Sequence, residues 1–140
     1  MNRKRILIVM AAGSGVRMGA TVPKQFLDLG GVPILRRTIE AFISVVPDIK
    51  VVTVLPGDYI AFWKDYCLVS DFNCPQTLVP GGFTRFHSVR NALKKVPDGA
   101  VVAIHDGVRP LLSPKLIGNM FERMDSGGVR ALIPVIPSVD

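Results

Sequence analysis

The chain has 140 residues and a mass of 15.2 kDa, the size of a single domain and enough to enclose a core. Hydrophobic residues make up 49% and charged residues 20%, which excludes a disordered or fibrous chain, and no apolar run is long enough to cross a bilayer. Seventeen Lys and Arg against eleven Asp and Glu leave a net charge of +6 and a pI near 9.8, so anionic partners are favoured.

The opening residues Met1-Asn2-Arg3-Lys4-Arg5 have the positive flank of an export signal, but the apolar run at 5–10 is short and leads into glycines instead of a cleavage site. It reads as a first strand in a soluble, cytoplasmic protein. Residues 33–46 follow a helical period that sets Ile34, Leu35, Ile39, Phe42 and Ile43 on one side, with Pro33 suited to a first turn. A β-branched run at 50–55 predicts a strand. Residues 58–67, carrying Ile60, Phe62, Trp63 and Tyr66, predict a helix, and 76–79 a further strand. A helix over 85–96 carries Val89, Ala92, Leu93 and Val96, and a strand over 101–105 follows it. The last helix runs from about Ser113 to Met124, opening on a serine cap and Pro114, and 131–136 is expected as a final strand. This alternation predicts an α/β fold, a Rossmann-like doubly wound and mostly parallel sheet with helices on both faces. Cys67 and Cys74 lack zinc spacing and a disulfide framework, and are expected as small core or half-buried residues.

Ligands of such folds sit beyond the carboxyl ends of the strands, and each chemically suggestive segment here follows a strand. The first is Ala11-Ala12-Gly13-Ser14-Gly15-Val16-Arg17-Met18-Gly19. Its glycines allow a tight turn whose amides can approach phosphate oxygens, which suggests a nucleotide. It lacks the Gly-Lys-Ser/Thr ending of an ATPase loop and the spacing of a dinucleotide fingerprint. Arg17 and Lys24 add cations that could neutralise charge developing on a phosphoryl group; a structural turn with two solvated cations is the alternative. The second segment, Pro80-Gly81-Gly82-Phe83-Thr84-Arg85, is either another close-approach loop or an ordinary turn capped by Thr84. The third is His105-Asp106-Gly107-Val108-Arg109-Pro110. Asp106 there could hold Mg²⁺ against phosphates or pair with Arg109 to fix the loop. With no partnered nucleophile in view, His87 and His105 read as structural or surface residues. No Lys/Arg-rich block follows the first five residues and no aromatics interleave with the cations, which argues against nucleic acid; a membrane partner is not expected either.

Together these segments, with Pro23-Lys24-Gln25-Phe26 after the first, resemble the 2-C-methyl-D-erythritol 4-phosphate cytidylyltransferases of the non-mevalonate isoprenoid pathway. The resemblance runs along essentially the whole chain and implies a nucleotidyltransferase-type fold that joins CTP to a polyol phosphate and releases pyrophosphate. It implies that Arg17 and Lys24 are the catalytic pair, stabilising the pentacovalent α-phosphate. Ala11, Ala12, Gly13, Ser14, Gly15, Gly82, Arg85, Ser88, Asp106 and Arg109 would bind the nucleotide. Asp106 would match the residue that the family associates with Mg²⁺ or another hard divalent cation. Phe83 departs from the family, where an acidic or polar residue often follows the paired glycines. The resemblance also implies a homodimer for the full-length protein, and a further segment that forms the acceptor-binding and dimerisation arm. Residues 1–140 are therefore expected to be a single CTP-binding domain truncated ahead of that arm. A ribitol 5-phosphate cytidylyltransferase shares the same motifs, and a nucleotide-binding domain without turnover is the rival from another class.

Overall fold

The computed structural model describes residues 3–13 and 22–134. In chain order the elements are β1 (Arg5–Met10), a 3-10 turn (Lys24–Phe26), the short strands β2 (Asp28–Leu29) and β3 (Val32–Pro33), α1 (Ile34–Val45) and β4 (Lys50–Leu55). A second 3-10 turn (Gly57–Tyr59) leads into α2 (Ile60–Val69), followed by β5 (Gln76–Pro80), α3 (Arg85–Leu93), β6 (Val101–Asp106) and α4 (Pro114–Asp125).

The main sheet has the order β5-β4-β1-β6, with every pairing parallel and Ile8 of β1 in register with Val52 on one side and Ile104 on the other. Side chains of a strand alternate between faces, so the apolar runs build two cores. Leu7, Val9, Val51 and Leu55 join Leu35, Ile39, Phe42, Trp63, Ile117 and Phe121 under α1, α2 and α4, whereas Ile6, Ile8, Met10, Val52, Val54 and Val79 meet Ala92 of α3. The crossover rule explains this division. Moving from β1 to β4 to β5 puts α1 and α2 on one face; returning to β6, on the far side of β1, puts α3 on the other if the crossovers keep one hand. The change of direction places the switch point of the sheet between β1 and β6.

Two packed details position the cleft described below. Thr38 of α1 is fully buried, and its hydroxyl lies 3.1 Å from the Ile34 carbonyl and 3.0 Å from the Gly107 carbonyl, tying the helix to the loop after β6. Phe26 stacks on Tyr59 at 5.2 Å and meets Phe62 edge-on at 5.1 Å, so the turn that carries Lys24 is seated on the second 3-10 turn and α2. Under α2, Gln76 Oε1 accepts from the Thr53 hydroxyl at 2.6 Å and from the Trp63 indole at 3.0 Å, satisfying two buried donors with one side chain.

The doubly wound architecture agrees with the expectation from sequence, but several bounds move. Helix α3 ends at Leu93, not Val96, because Val96 precedes Pro97, and a residue before proline avoids the helical region. Strand β6 extends one residue to Asp106, which puts that carboxylate on the strand's last position. Pro33 closes the β2–β3 hairpin and caps α1 instead of forming its first turn. That hairpin, turned at Gly30-Gly31 with both residues at positive φ, is absent from the expectation. Residues 131–134 are not in a strand, and the rest of the expected 131–136 run lies outside the described residues. Cys67 and Cys74 are half-buried free thiols, and burial pushes the Cys74 thiol up to about 11. Among the described residues no helix is long and apolar enough to cross a membrane.

Candidate active site

Two of the clefts among the described residues are of similar size. One, of about 520 Å³ between β6 and α4, is lined mainly by aliphatic and aromatic side chains. The other, of about 500 Å³, lies beyond the carboxyl ends of β1, β5 and β6 and is lined by residues that include Ala11, Ala12, Gly13, Lys24, Gly82, Arg85, Ser88 and Asp106. Cations, a carboxylate and loop backbone converge only in the second of these two, at the side of the sheet where doubly wound folds bind ligands.

The first wall of the cleft continues β1. The Ala11 N–H donates to the Val54 carbonyl at 2.8 Å, extending the ladder one step past Met10. Ala11 and Ala12 are then wedged between two other loops. A Cβ on Gly107 would stand 3.0 Å from the Ala11 Cβ, and one on Gly81 would stand 2.4 Å from the Ala12 Cβ. Small residues are required on both sides of these contacts because the glycines of the loops after β5 and β6 pack directly against the methyl groups of Ala12 and Ala11. Gln25, buried with 2% exposure, donates its amide to the Ala11 carbonyl at 2.6 Å and to the Gly13 carbonyl at 3.1 Å. In a planar trans peptide the next N–H points the opposite way, so this anchor directs the Ala12 N–H away from Gln25.

The second wall follows β5. The Gly81 N–H donates to the Leu55 carbonyl at 2.8 Å, and the Gly82 N–H donates to the buried Ser88 hydroxyl at 3.0 Å. Accepting this bond leaves the Ser88 hydroxyl its own proton as a donor. Thr84 caps α3 by accepting from the His87 N–H at 3.2 Å, and its hydroxyl also lies 2.7 Å from His87 Nδ1. His87 thus belongs to the cap.

The third wall is β6. The Asp106 carboxylate is bracketed: Oδ1 accepts from Arg85 Nη1 at 2.9 Å and Oδ2 from Arg109 Nε at 3.1 Å. Partial burial pushes this carboxyl up, but the hydrogen bonds and charges of Arg85 and then Arg109 outweigh it and hold its pKa below the ordinary carboxylate value. The ion pair with Arg109 is therefore present, joined by Arg85 from the opposite wall. His105 Nε2 lies 2.9 Å from the Arg109 carbonyl, and because a carbonyl only accepts, that nitrogen carries the proton. His105 fastens the loop, and its ring packs at 5.5 Å from Phe42.

Of the residues singled out from sequence, Ala11, Ala12, Gly13, Lys24, Gly82, Arg85, Ser88 and Asp106 share one cleft, while Arg109 reaches it through Asp106. Ser14, Gly15 and Arg17 lie outside the described residues. Gln25, Thr38 and Phe83 were not among the expected site residues. A glutamine between Lys24 and Phe26 was the visible signal for the first; Thr38 gave none, since its second partner, Gly107, is remote in sequence. Among the described residues no three His, Cys, Asp or Glu side chains gather as a metal site.

A family model described as 2-C-methyl-D-erythritol 4-phosphate cytidylyltransferase matches residues 5–140. A protein of that name from Porphyromonas gingivalis is 46% identical over 140 residues, covering 100% of this chain and 61% of its own length. One from Phocaeicola vulgatus is 44% identical over 140 residues, again 100% of this chain, with 62% of its own length covered. The crystal structure of 4-diphosphocytidyl-2C-methyl-D-erythritol synthase from Anaerococcus prevotii matches with a TM-score of 0.70 at 26% identity, covering 88% of this chain and 52% of that one. The chain thus spans 61–62% of the length of these two curated relatives. It belongs to the 2-C-methyl-D-erythritol 4-phosphate cytidylyltransferase family.

Proposed function

We propose that this cleft binds CTP and that the protein transfers the cytidylyl group to 2-C-methyl-D-erythritol 4-phosphate. The observation that carries the reading is the convergence of Ala11–Gly13 backbone, Lys24, Arg85 and Asp106 in one cleft at the switch point of the sheet, in a chain of this family. An oxygen of the acceptor phosphate attacks the α-phosphorus of CTP, the bond from that phosphorus to the bridging oxygen breaks, and pyrophosphate leaves. The nucleophile is already an anion, so the protein needs no general base; positioning and charge neutralisation suffice. Lys24 supplies an ammonium from a turn seated by Phe26, and Arg17 is assigned the matching guanidinium. Ser88 donates its hydroxyl toward the nucleotide, and Gln25 keeps the first loop in place.

Asp106 is the one carboxylate lining the described part of the cleft. Each of its oxygens accepts one guanidinium and keeps a second lone pair, which suits Mg²⁺ or another hard divalent ion that takes one carboxylate and fills its shell with phosphate oxygens and water. Such an ion supplies charge neutralisation to the triphosphate. The same reading makes the full-length protein a cytoplasmic homodimer, on the strength of its resemblance to the family.

The test is pyrophosphate release from CTP and Mg²⁺ with methylerythritol 4-phosphate, and separately with ribitol 5-phosphate. It is run on this chain and on a chimera that adds the remaining part of the Porphyromonas gingivalis relative. Release with the first acceptor, lowered about 10²–10³-fold by Lys24→Met while CTP still binds, is the expected result. Release with ribitol 5-phosphate alone would reassign the acceptor. Binding of CTP without release in either form would leave a nucleotide-holding domain.

A further inference from the structure

Phe83 is the one aromatic residue lining the described part of the cleft, and it is fully exposed, at 103%. Exposure alone means little for a surface phenylalanine, but at the lining of this cleft the residue offers a flat apolar face to whatever the cleft binds. The surrounding loop is well fixed. Before it, the N–H groups of Gly81 and Gly82 are held by the Leu55 carbonyl and the Ser88 hydroxyl; after it, Thr84 caps α3. A Cβ at Gly82 would stand 2.4 Å from the His87 Cβ, so the backbone has one tight route past the helix start. Phe86, also exposed, differs: it lies on α3, meets His87 at 5.6 Å and Arg90 at 5.9 Å, and does not line the cleft.

Building on the nucleotide reading above, we propose that Phe83 is a stacking platform for the base of the bound nucleotide. A nucleoside triphosphate presents an anionic end and a flat aromatic base, polar at its edge and stackable on its faces. Lys24 and Arg85 suit the first, and among the described lining residues only Phe83 suits the second. A phenyl ring stacks on any base, because every base has a π-face. Phe83 therefore contributes affinity with little selectivity, and discrimination among bases falls to polar groups such as the Ser88 hydroxyl.

Calorimetric titration of CTP, UTP and inorganic tripolyphosphate into the unaltered chain, Phe83→Ala and Phe83→Trp tests this. Phe83→Ala should weaken CTP and UTP alike, by about 10-fold or more, and leave tripolyphosphate unchanged. Phe83→Trp should keep CTP affinity and show fluorescence quenched by CTP but not by tripolyphosphate; the native Trp63, with 0% exposure, gives a constant background. CTP affinity indifferent to Phe83→Ala overturns the stacking role alone, as does an equal loss of tripolyphosphate, which would mark a disturbed loop. Absence of CTP binding by the unaltered chain overturns the nucleotide reading and this inference with it.

Discussion

Ala12 and Gly81 meet so closely that a methyl group added to Gly81 would stand 2.4 Å from the Ala12 Cβ, well inside van der Waals contact. Both belong to loops at the carboxyl end of the sheet, and Gly81 reaches Ala12 by crossing the end of β4, where its N–H donates to the Leu55 carbonyl. Gly81→Ala should cost about 1–3 kcal/mol through overpacking and weaken CTP binding, because the two walls of the cleft must part. Pairing it with Ala12→Gly removes the clashing methyl and leaves contacts of 3.3 Å to the Ser88 hydroxyl and 3.7 Å to the Ala12 Cα. Chemical denaturation of the two single variants and the double variant should therefore show a favourable coupling; strictly additive losses would refute the contact.

Gln25 stands 14 residues from Ala11 in sequence, yet it is the buried partner of that residue's carbonyl. Gln25→Leu keeps the bulk and removes the donor, leaving that carbonyl unsatisfied at a cost of about 1–3 kcal/mol. Because the same amide also holds Gly13, CTP affinity should fall together with the melting temperature, and both can be read on one purified variant. Undiminished nucleotide affinity would show that the loop keeps its course without this anchor.

The bracketed Asp106 predicts a definite pH dependence. Its pKa is depressed in the folded chain, so its stabilising contribution is complete above the unfolded carboxyl value of about 3.9 and is lost as pH falls through the lower folded value. Arg85 and Arg109 are mostly solvent-exposed, at 61% and 73%, so each pair is worth on the order of 0.2–1 kcal/mol. The stability gap between the native chain and Asp106→Asn should stay flat from about pH 5 to pH 8 and close below about pH 4. Denaturation midpoints across that range give the answer; a gap that widens in acid would contradict the geometry.

Gln76 carries a structural role and no chemical one. Gln76→Leu would strand the Thr53 hydroxyl and the Trp63 indole N–H, both in fully buried side chains, and should cost about 1–3 kcal/mol or more. CTP affinity per folded molecule should not change, because the residue packs under α2 and lines neither the cleft nor its loops. Parallel melting and titration would separate the two effects.

What sequence by itself determined here is whatever has a local cause. Alternation of apolar runs with helical periods specified the parallel sheet, Ser113-Pro114 marked the start of α4, and the loops that follow strands disclosed Ala11, Lys24, Gly82 and Asp106 as candidates. Those features depend on side-chain period, fixed φ at proline and the absence of a Cβ at glycine, all of which act within a few residues. Tertiary structure alone decided which of the candidates face one another. Ala11 against Gly107, Asp106 against Arg85, and Thr38 bonded to Gly107 across 69 positions follow from β6 lying beside β1, and the Gln25 anchor on Ala11 needs the chain to return across 14 positions. Phe83 makes the same point. In sequence it is only a departure from the polar residue expected after the paired glycines, and the fold, which pins Gly82 and Thr84 on either side, leaves it exposed at the cleft.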